Sequence, residues 1–159
     1  MKLNKLMFRE YDIRGIWNED ITEEISYYIG RAYATKLLSL KKNKMIVGYD
    51  NRLSSPIIEK NLVKGLTDGG VDVVRLGLVT TPMYYYAWDK LDIHCGIMIT
   101  ASHNPKEYNG FKMSYNGIHN CFGNEVAELY YIILNGIYSK GNGSITDANI
   151  KEDYIKMIN

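Results

Sequence analysis

The chain has 159 residues, the size of one domain at roughly 150 residues per domain. Hydrophobic residues make up 46% and charged residues 23%, a globular balance rather than a disordered or collagen-like one. Lys and Arg number 19 against 18 Asp and Glu, for a net charge of +1, which excludes a polybasic nucleic-acid binder and an acidic tail but not a local basic pocket.

The longest apolar runs, 83–88 and 129–134, hold six residues each, against the roughly 20 of a membrane-spanning helix. The N-terminus lacks the apolar stretch and small-residue cleavage site of a signal peptide. Cys95 and Cys121 are too few for a disulfide framework. The expectation is a cytoplasmic protein with reduced thiols that binds neither nucleic acid nor membrane.

The first predicted helix follows Thr22, whose hydroxyl can cap it, with Glu23 and Glu24 at its positive end. Ile25, Ile29, Ala32, Leu37 and Leu40 form its apolar stripe. A short buried strand is predicted at 45–49. Ser54-Ser55-Pro56 signals a helix start, with Ser55 as cap and Pro56 in the first turn. Ile58, Leu62 and Leu66 share a face of that helix, and Gly69-Gly70 ends it.

A strand at 71–76 comes next. Thr81-Pro82 then repeats the cap-and-proline signal before a short aromatic helix at 83–88. A third strand is predicted at 96–100, a polar loop at 101–108 and a fourth strand at 110–115. A helix at 124–134 carries Val126, Leu129 and Ile133 on one face and closes at Asn135-Gly136. Residues 141–144 read as a turn, and Lys151–Ile158 as the start of another helix.

Alternation of strand and helix implies right-handed crossovers and a mostly parallel sheet covered on both faces. The fold class is therefore α/β, a three-layer α/β/α sandwich with a mixed sheet of about four core strands. No helix separates strands 96–100 and 110–115, so the last strand is expected to be antiparallel. In open parallel sheets, ligands bind beyond the carboxyl ends of the strands. The loop at 101–108 lies at such an end.

That loop and its flanks read Thr100-Ala-Ser-His-Asn-Pro-Lys-Glu-Tyr-Asn-Gly-Phe-Lys112. Ser102 follows a buried strand on a tight turn, where a serine can act as a nucleophile if it is activated. The hydrolase elbow Gly-x-Ser-x-Gly is absent, which disfavours ester hydrolysis. Lys112 lies two residues into the returning strand, so its ammonium can reach back. A cation beside a serine and backbone N–H groups suits a phosphate. On residue types alone, a turn capped by Ser and Asn side chains accounts for the same loop. His94, Cys95, His119 and Cys121 lack a standard zinc spacing.

Thr100-Ala101-Ser102-His103-Asn104-Pro105, followed by Tyr108-Asn109-Gly110-Phe111-Lys112, closely resembles the active-site serine loop of the α-D-phosphohexomutases, the phosphomannomutase/phosphoglucomutase family. Phe8-Arg9-Glu10-Tyr11-Asp12-Ile13-Arg14-Gly15 is similar to that family's N-terminal motif. Val47-Gly48-Tyr49-Asp50-Asn51-Arg52-Leu53-Ser54 is similar to its second-strand motif, with Tyr49 where the family usually carries arginine. Gly69-Gly70 through Thr81-Pro82 also matches in order and spacing. Several motifs in the right order are far more specific than one short pattern.

The resemblance implies that Ser102 carries a phosphoryl group. The serine donates it to the free hydroxyl of a hexose monophosphate, the bisphosphate turns over, and the other phosphate returns. Lys112 and Arg14 are implied to stabilise the transferring group or shuttle a proton. Tyr11 is implied to line the substrate entrance, and His103 and Asn104 to orient the loop and its phosphate. Asp50 and Arg52 are expected to form a structural ion pair under the loops.

The implied cofactors are Mg2+, held in part by the phosphate on Ser102, and hexose 1,6-bisphosphate as activator and intermediate. The implied partners are hexose phosphates and the remaining domains of a longer enzyme. Residues 1–150 are expected to be the first domain, and 151–159 the start of a connection to a missing second domain. The family's Asp-Gly-Asp metal loop, Gly-Glu-x-Ser-Gly sugar loop and arginine-rich phosphate loop do not occur in these 159 residues. The chain alone is therefore expected to fold without useful turnover. The alternatives are a stand-alone sugar-phosphate-binding module, or an interaction domain using an exposed aromatic set at 84–88.

Overall fold

The structure, a computed structural model, describes residues 1–117 and 119–159. In chain order it places β1 at Ile13–Ile16, α1 at Glu23–Ser39, β2 at Lys44–Tyr49, α2 at Ser55–Asp68, β3 at Asp72–Leu78 and α3 at Thr81–Leu91. Then come β4 at Gly96–Ile99, β5 at Tyr108–Ser114, α4 at Asn124–Asn135, β6 at Ile145–Asp147 and α5 at Lys151–Ile158. A short 3-10 turn at Lys5–Met7 precedes β1.

Among the described residues, six strands form one sheet in the order β1-β5-β4-β2-β3-β6. β2 runs parallel to β3 and β4, and β3 parallel to β6. β5 is antiparallel to both β4 and β1. The expected antiparallel strand at 110–115 is thus found. The four expected core strands are β5, β4, β2 and β3, and among the described residues the edge strands β1 and β6 widen the sheet to six.

The two additions are edge strands with weak signals. β1 has four residues and pairs with a strand almost a hundred positions later. β6 has three residues, all exposed, so no burial pattern marks it.

The crossover from β2 to β3 steps one way along the sheet and that from β3 to β4 steps back across β2. Crossovers of one hand then put α2 and α3 on opposite faces. α1 packs on α2 and α4, and α5 on α3, which completes the three layers.

The α1–α2 contact is a close approach of backbones. A Cβ on Gly30 would collide with the carbonyl of Leu62, and one on Gly65 with the carbonyl of Tyr27. Ile25, Ile29, Ala32 and Leu37 are buried as the α1 stripe predicts, but Leu40 is 42% exposed because it follows the helix as its C-cap.

Thr22 caps α1 by accepting from Ile25 N at 3.1 Å. The other two cap expectations shift by one residue. α2 starts at Ser55 after Ser54, and neither hydroxyl caps it: Asn109 Nδ2 donates to Ser54 Oγ at 2.8 Å and to Ser55 Oγ at 3.1 Å. α3 is capped by Thr80, which accepts from Met83 N at 3.3 Å, rather than by Thr81.

The aromatic set at 84–88 is corrected from an exposed surface to a packing face. Tyr84, Ala87 and Trp88 are buried, and the rings of Tyr84 and Trp88 meet edge-on within the core. Of the set, Tyr85 stays exposed and Tyr86 half-buried. Both cysteines are free and buried, and burial pushes the Cys121 thiol up to about 12. Among the described residues, no helix is long and apolar enough to cross a membrane.

Candidate active site

The carboxyl edge of β4 delivers the chain into the loop that carries Ser102. Thr100 N–H donates to Gly110 O at 2.9 Å, so β4 and β5 grip the loop at its base. Ser102 is exposed and takes the left-handed conformation at φ 53°. That region is uncommon for a residue with a Cβ, so other interactions must hold it.

They are visible on both sides of the residue. Ser102 N–H donates to Thr100 Oγ1 at 3.0 Å, and Thr100 Oγ1 donates to Asp50 Oδ2 at 2.6 Å. Ser102 O accepts from Arg52 Nη2 at 2.9 Å. Arg52 also donates to the carbonyls of Asn104, Pro105 and Tyr108, at 2.9, 2.7 and 3.1 Å. Its Nε lies 3.7 Å from Asp50 Oδ2. The expected Asp50–Arg52 pair thus exists, and Arg52 does more than pair: its planar fork gathers four loop carbonyls.

On the other flank, Arg14 Nη1 donates to Asn104 Oδ1. Arg14 Nη2 donates to Asp12 Oδ2 at 2.5 Å, and Asp12 is only 4% exposed. Arg14 Nε is buried without a partner among the described residues.

Arg14 on β1 faces Gly110 on β5. A Cβ at Gly110 would clash with Ile13 O, so glycine permits this close pairing. Lys112 sits two residues further along β5, and side chains two apart share a face. Arg14 and Lys112 therefore lie on the same face of the sheet, with no side chain at Gly110 between them. β5 begins at Tyr108, so Lys112 pairs with Met98 deeper in the sheet than a strand starting at Gly110 would place it.

A cleft of about 620 Å³ opens beside the loop, lined by Trp17, Arg52, Leu53, Ser102, Asn104 and Lys106, among others. Of the residues singled out in the sequence, Asp50, Arg52, Ser102 and Asn104 line it. Arg14, Lys112, His103 and Tyr11 do not: Arg14 reaches the loop through Asn104, His103 is exposed, and Tyr11 is 70% exposed in the turn before β1.

Trp17 carries no motif signal, and only folding brings it to the cleft beside Leu53. Trp17 N–H donates to Glu107 O at 2.8 Å, which ties the end of β1 to the serine loop. Tyr49, in place of the usual arginine, packs its ring against the core.

Residues 5–136 match the family model described as phosphoglucomutase/phosphomannomutase, alpha/beta/alpha domain I. The chain belongs to the phosphoglucomutase/phosphomannomutase family. It is 41% identical over 153 residues to a phosphomannomutase/phosphoglucomutase of Pseudomonas syringae pv. tomato, covering 96% of this chain and 32% of that one. A phosphoglucomutase of Neisseria meningitidis serogroup B is 40% identical, covering 96% of this chain and 33% of that one.

A solved phosphoglucomutase/phosphomannomutase family protein of Burkholderia thailandensis superimposes with a TM-score of 0.93 and 32% identity. That match covers 99% of this chain and 36% of the other. The chain thus spans about a third of the length of the family relatives it matches.

The donor set decides whether this family domain could hold a divalent cation. Among the described residues, no group of three or more His, Cys, Asp or Glu gathers around one point. Asp50, which lines the cleft with Ser102, already engages Thr100, Ser55 and Arg52. These residues do not make a magnesium site on their own.

Proposed function

We propose that this chain is the phosphoserine-bearing domain of a phosphohexomutase that interconverts hexose 1-phosphate and hexose 6-phosphate, with mannose or glucose as the sugar. The observation that carries this reading is Ser102 itself. It is exposed at a strand's carboxyl end, held in a left-handed turn at a cleft, in a loop whose Asn104 is held by Arg14.

In the proposed reaction the Ser102 Oγ–phosphorus bond breaks as the sugar's free hydroxyl oxygen bonds to phosphorus. The hydroxyl proton passes to a base, and the bisphosphate product reverses the exchange through its other phosphate. Phosphoryl transfer depends mainly on positioning and charge stabilisation. A phosphoserine carries about −1.5 to −2 charges at pH 7, which calls for the cations Arg14 and Lys112. Lys112 makes no ion pair among the described residues, which suits it to stabilise the group or shuttle the proton.

Asn104, held by Arg14, orients the loop with His103, and Tyr11 lines the approach of the substrate. Residues 1–150 serve as the first domain and 151–159 begin the connection to a second. Mg2+ would rely on ligands from elsewhere, with the phosphate on Ser102 as this domain's contribution. A cytoplasmic setting fits sugar-phosphate substrates.

The test is intact-mass analysis of the multidomain enzyme that carries this domain, after incubation with glucose 1,6-bisphosphate. The expected result is a gain of one phosphoryl group, lost in Ser102→Ala. Binding of the bisphosphate with no mass gain would leave a sugar-phosphate-binding module instead.

A further inference from the structure

We infer that Arg52 is a positioning residue for phosphoryl transfer, which locks the peptide planes of the serine loop so that its N–H groups face the incoming phosphoryl group. This inference rests on the reading of Ser102 as the phosphoryl carrier. Arg52 lines the cleft beside Ser102, but its guanidinium donors are engaged by four loop carbonyls, so it acts through the loop.

The argument starts from the planar trans peptide, in which the C=O of one residue and the N–H of the next point in opposite directions. Ser102 O points at Arg52 Nη2, so His103 N–H points away from Arg52. Pro105 O points at Arg52 Nη1, so Lys106 N–H points away as well. Asn104 O is also held by Arg52, and the next residue is Pro105, which has no N–H to orient.

Neither His103 N–H nor Lys106 N–H has a hydrogen-bond partner among the described residues. The loop therefore keeps two donors turned outward while its carbonyls, which would repel an anion, are turned in. Between them Asn104 N–H is tied to Ala101 O, and Ser102 N–H to Thr100 Oγ1, so His103 N–H and Lys106 N–H are the donors the turn leaves for an anion. Ser102 itself is left-handed, at φ 53°.

Arginine suits this task and lysine does not. The guanidinium is a rigid planar fork that spreads donors over several acceptors, whereas an ammonium is a compact point charge. Arg52 serves four carbonyls that span residues 102 to 108. Its side chain is only 11% exposed and faces Asp50, so its rotamer is held before any ligand arrives.

The experiment compares the unsubstituted protein with Arg52→Lys and Arg52→Ala in two measurements, the first on the multidomain enzyme that carries this domain and the second on this chain. The first is the rate of Ser102 phosphorylation by glucose 1,6-bisphosphate, followed by intact mass across bisphosphate concentrations. In Arg52→Lys the saturating rate should fall by at least about tenfold, since small misplacements of a reacting group are costly. The half-saturating concentration should change much less. Added guanidinium ion should restore part of the rate in Arg52→Ala but not in Arg52→Lys, where the ammonium blocks the site.

The second measurement titrates inorganic phosphate and follows the His103 and Lys106 amide signals by NMR. These should shift in the unsubstituted chain and not in Arg52→Lys. Wild-type rates in Arg52→Lys, or amide shifts that persist in it, overturn the role of Arg52. If the unsubstituted multidomain enzyme is never phosphorylated, the mutase reading falls, and the amide titration still decides what Arg52 does.

Discussion

Arg14 and Asn104, 90 positions apart in the chain, are joined by a hydrogen bond from the guanidinium to the side-chain amide oxygen. The bond ties the edge strand β1 to the serine loop. A double-mutant cycle on Arg14→Ala and Asn104→Ala should show a coupling of about 1–2 kcal/mol in unfolding free energy, as for a charge-assisted bond. Arg14→Ala should be the worse single change because it also strips a partner from buried Asp12. Purely additive urea midpoints would mean that the bond contributes nothing.

Gly65→Ala tests the close packing of α1 on α2. Alanine normally stabilises a helix interior over glycine by about 1 kcal/mol. Here its Cβ would meet the Tyr27 backbone carbonyl, which cannot move aside as a flexible side chain would. Overpacking of this kind costs about 1–3 kcal/mol, so the variant should unfold at lower urea. A stabilised variant would show that the helices lie further apart.

Glu59 makes stability fall with rising pH. It projects from α2 with 9% exposure, and its Oε2 lacks a partner among the described residues. Burial pushes its carboxyl up to about 7, against the opposing pull of the nearby Arg75 cation. The folded state therefore holds this proton more tightly than the unfolded chain does. Its contribution to stability is complete below the ordinary carboxylate value and is lost as pH rises through about 7. Solvent and the Arg75–Asp147 pair screen part of the effect. Glu59→Gln should match the unsubstituted chain near pH 4 and exceed it by about 1–2 kcal/mol at pH 8. Equal midpoints at both pH values would refute the assignment.

The chain alone should convert no measurable glucose 1-phosphate to glucose 6-phosphate. One well-placed arginine in a phosphoryl-transfer site is worth about 10³–10⁵ in rate, and this domain has no carboxylate cluster for a metal among its described residues. A coupled assay that detects conversion, abolished by Ser102→Ala, would overturn this expectation.

The serine loop was legible in the sequence because its residues are contiguous and their types suit one chemistry. The α1 stripe and the Thr22 cap were legible because helix periodicity and capping are local. β1 and β6 were not, since an edge strand of three or four residues carries no periodicity and owes its existence to a distant partner. The aromatic run at 84–88 misled for a related reason. Consecutive tyrosines have no polar contrast, so only packing shows that Tyr84 faces inward while Tyr85 is 36% exposed.

By itself the sequence determined the layered α/β class, the family and Ser102 as the residue to watch, because helix signals, turn chemistry and contiguous motifs act over a few residues. Only the tertiary structure decided how that serine is held. Arg52 gathers four carbonyls of a loop about fifty positions away, Arg14 reaches Asn104 across the sheet, and Trp17 comes to the cleft through the pairing of β1 with β5. A side chain's partners across the fold are set by strand order and register, and no local pattern encodes either.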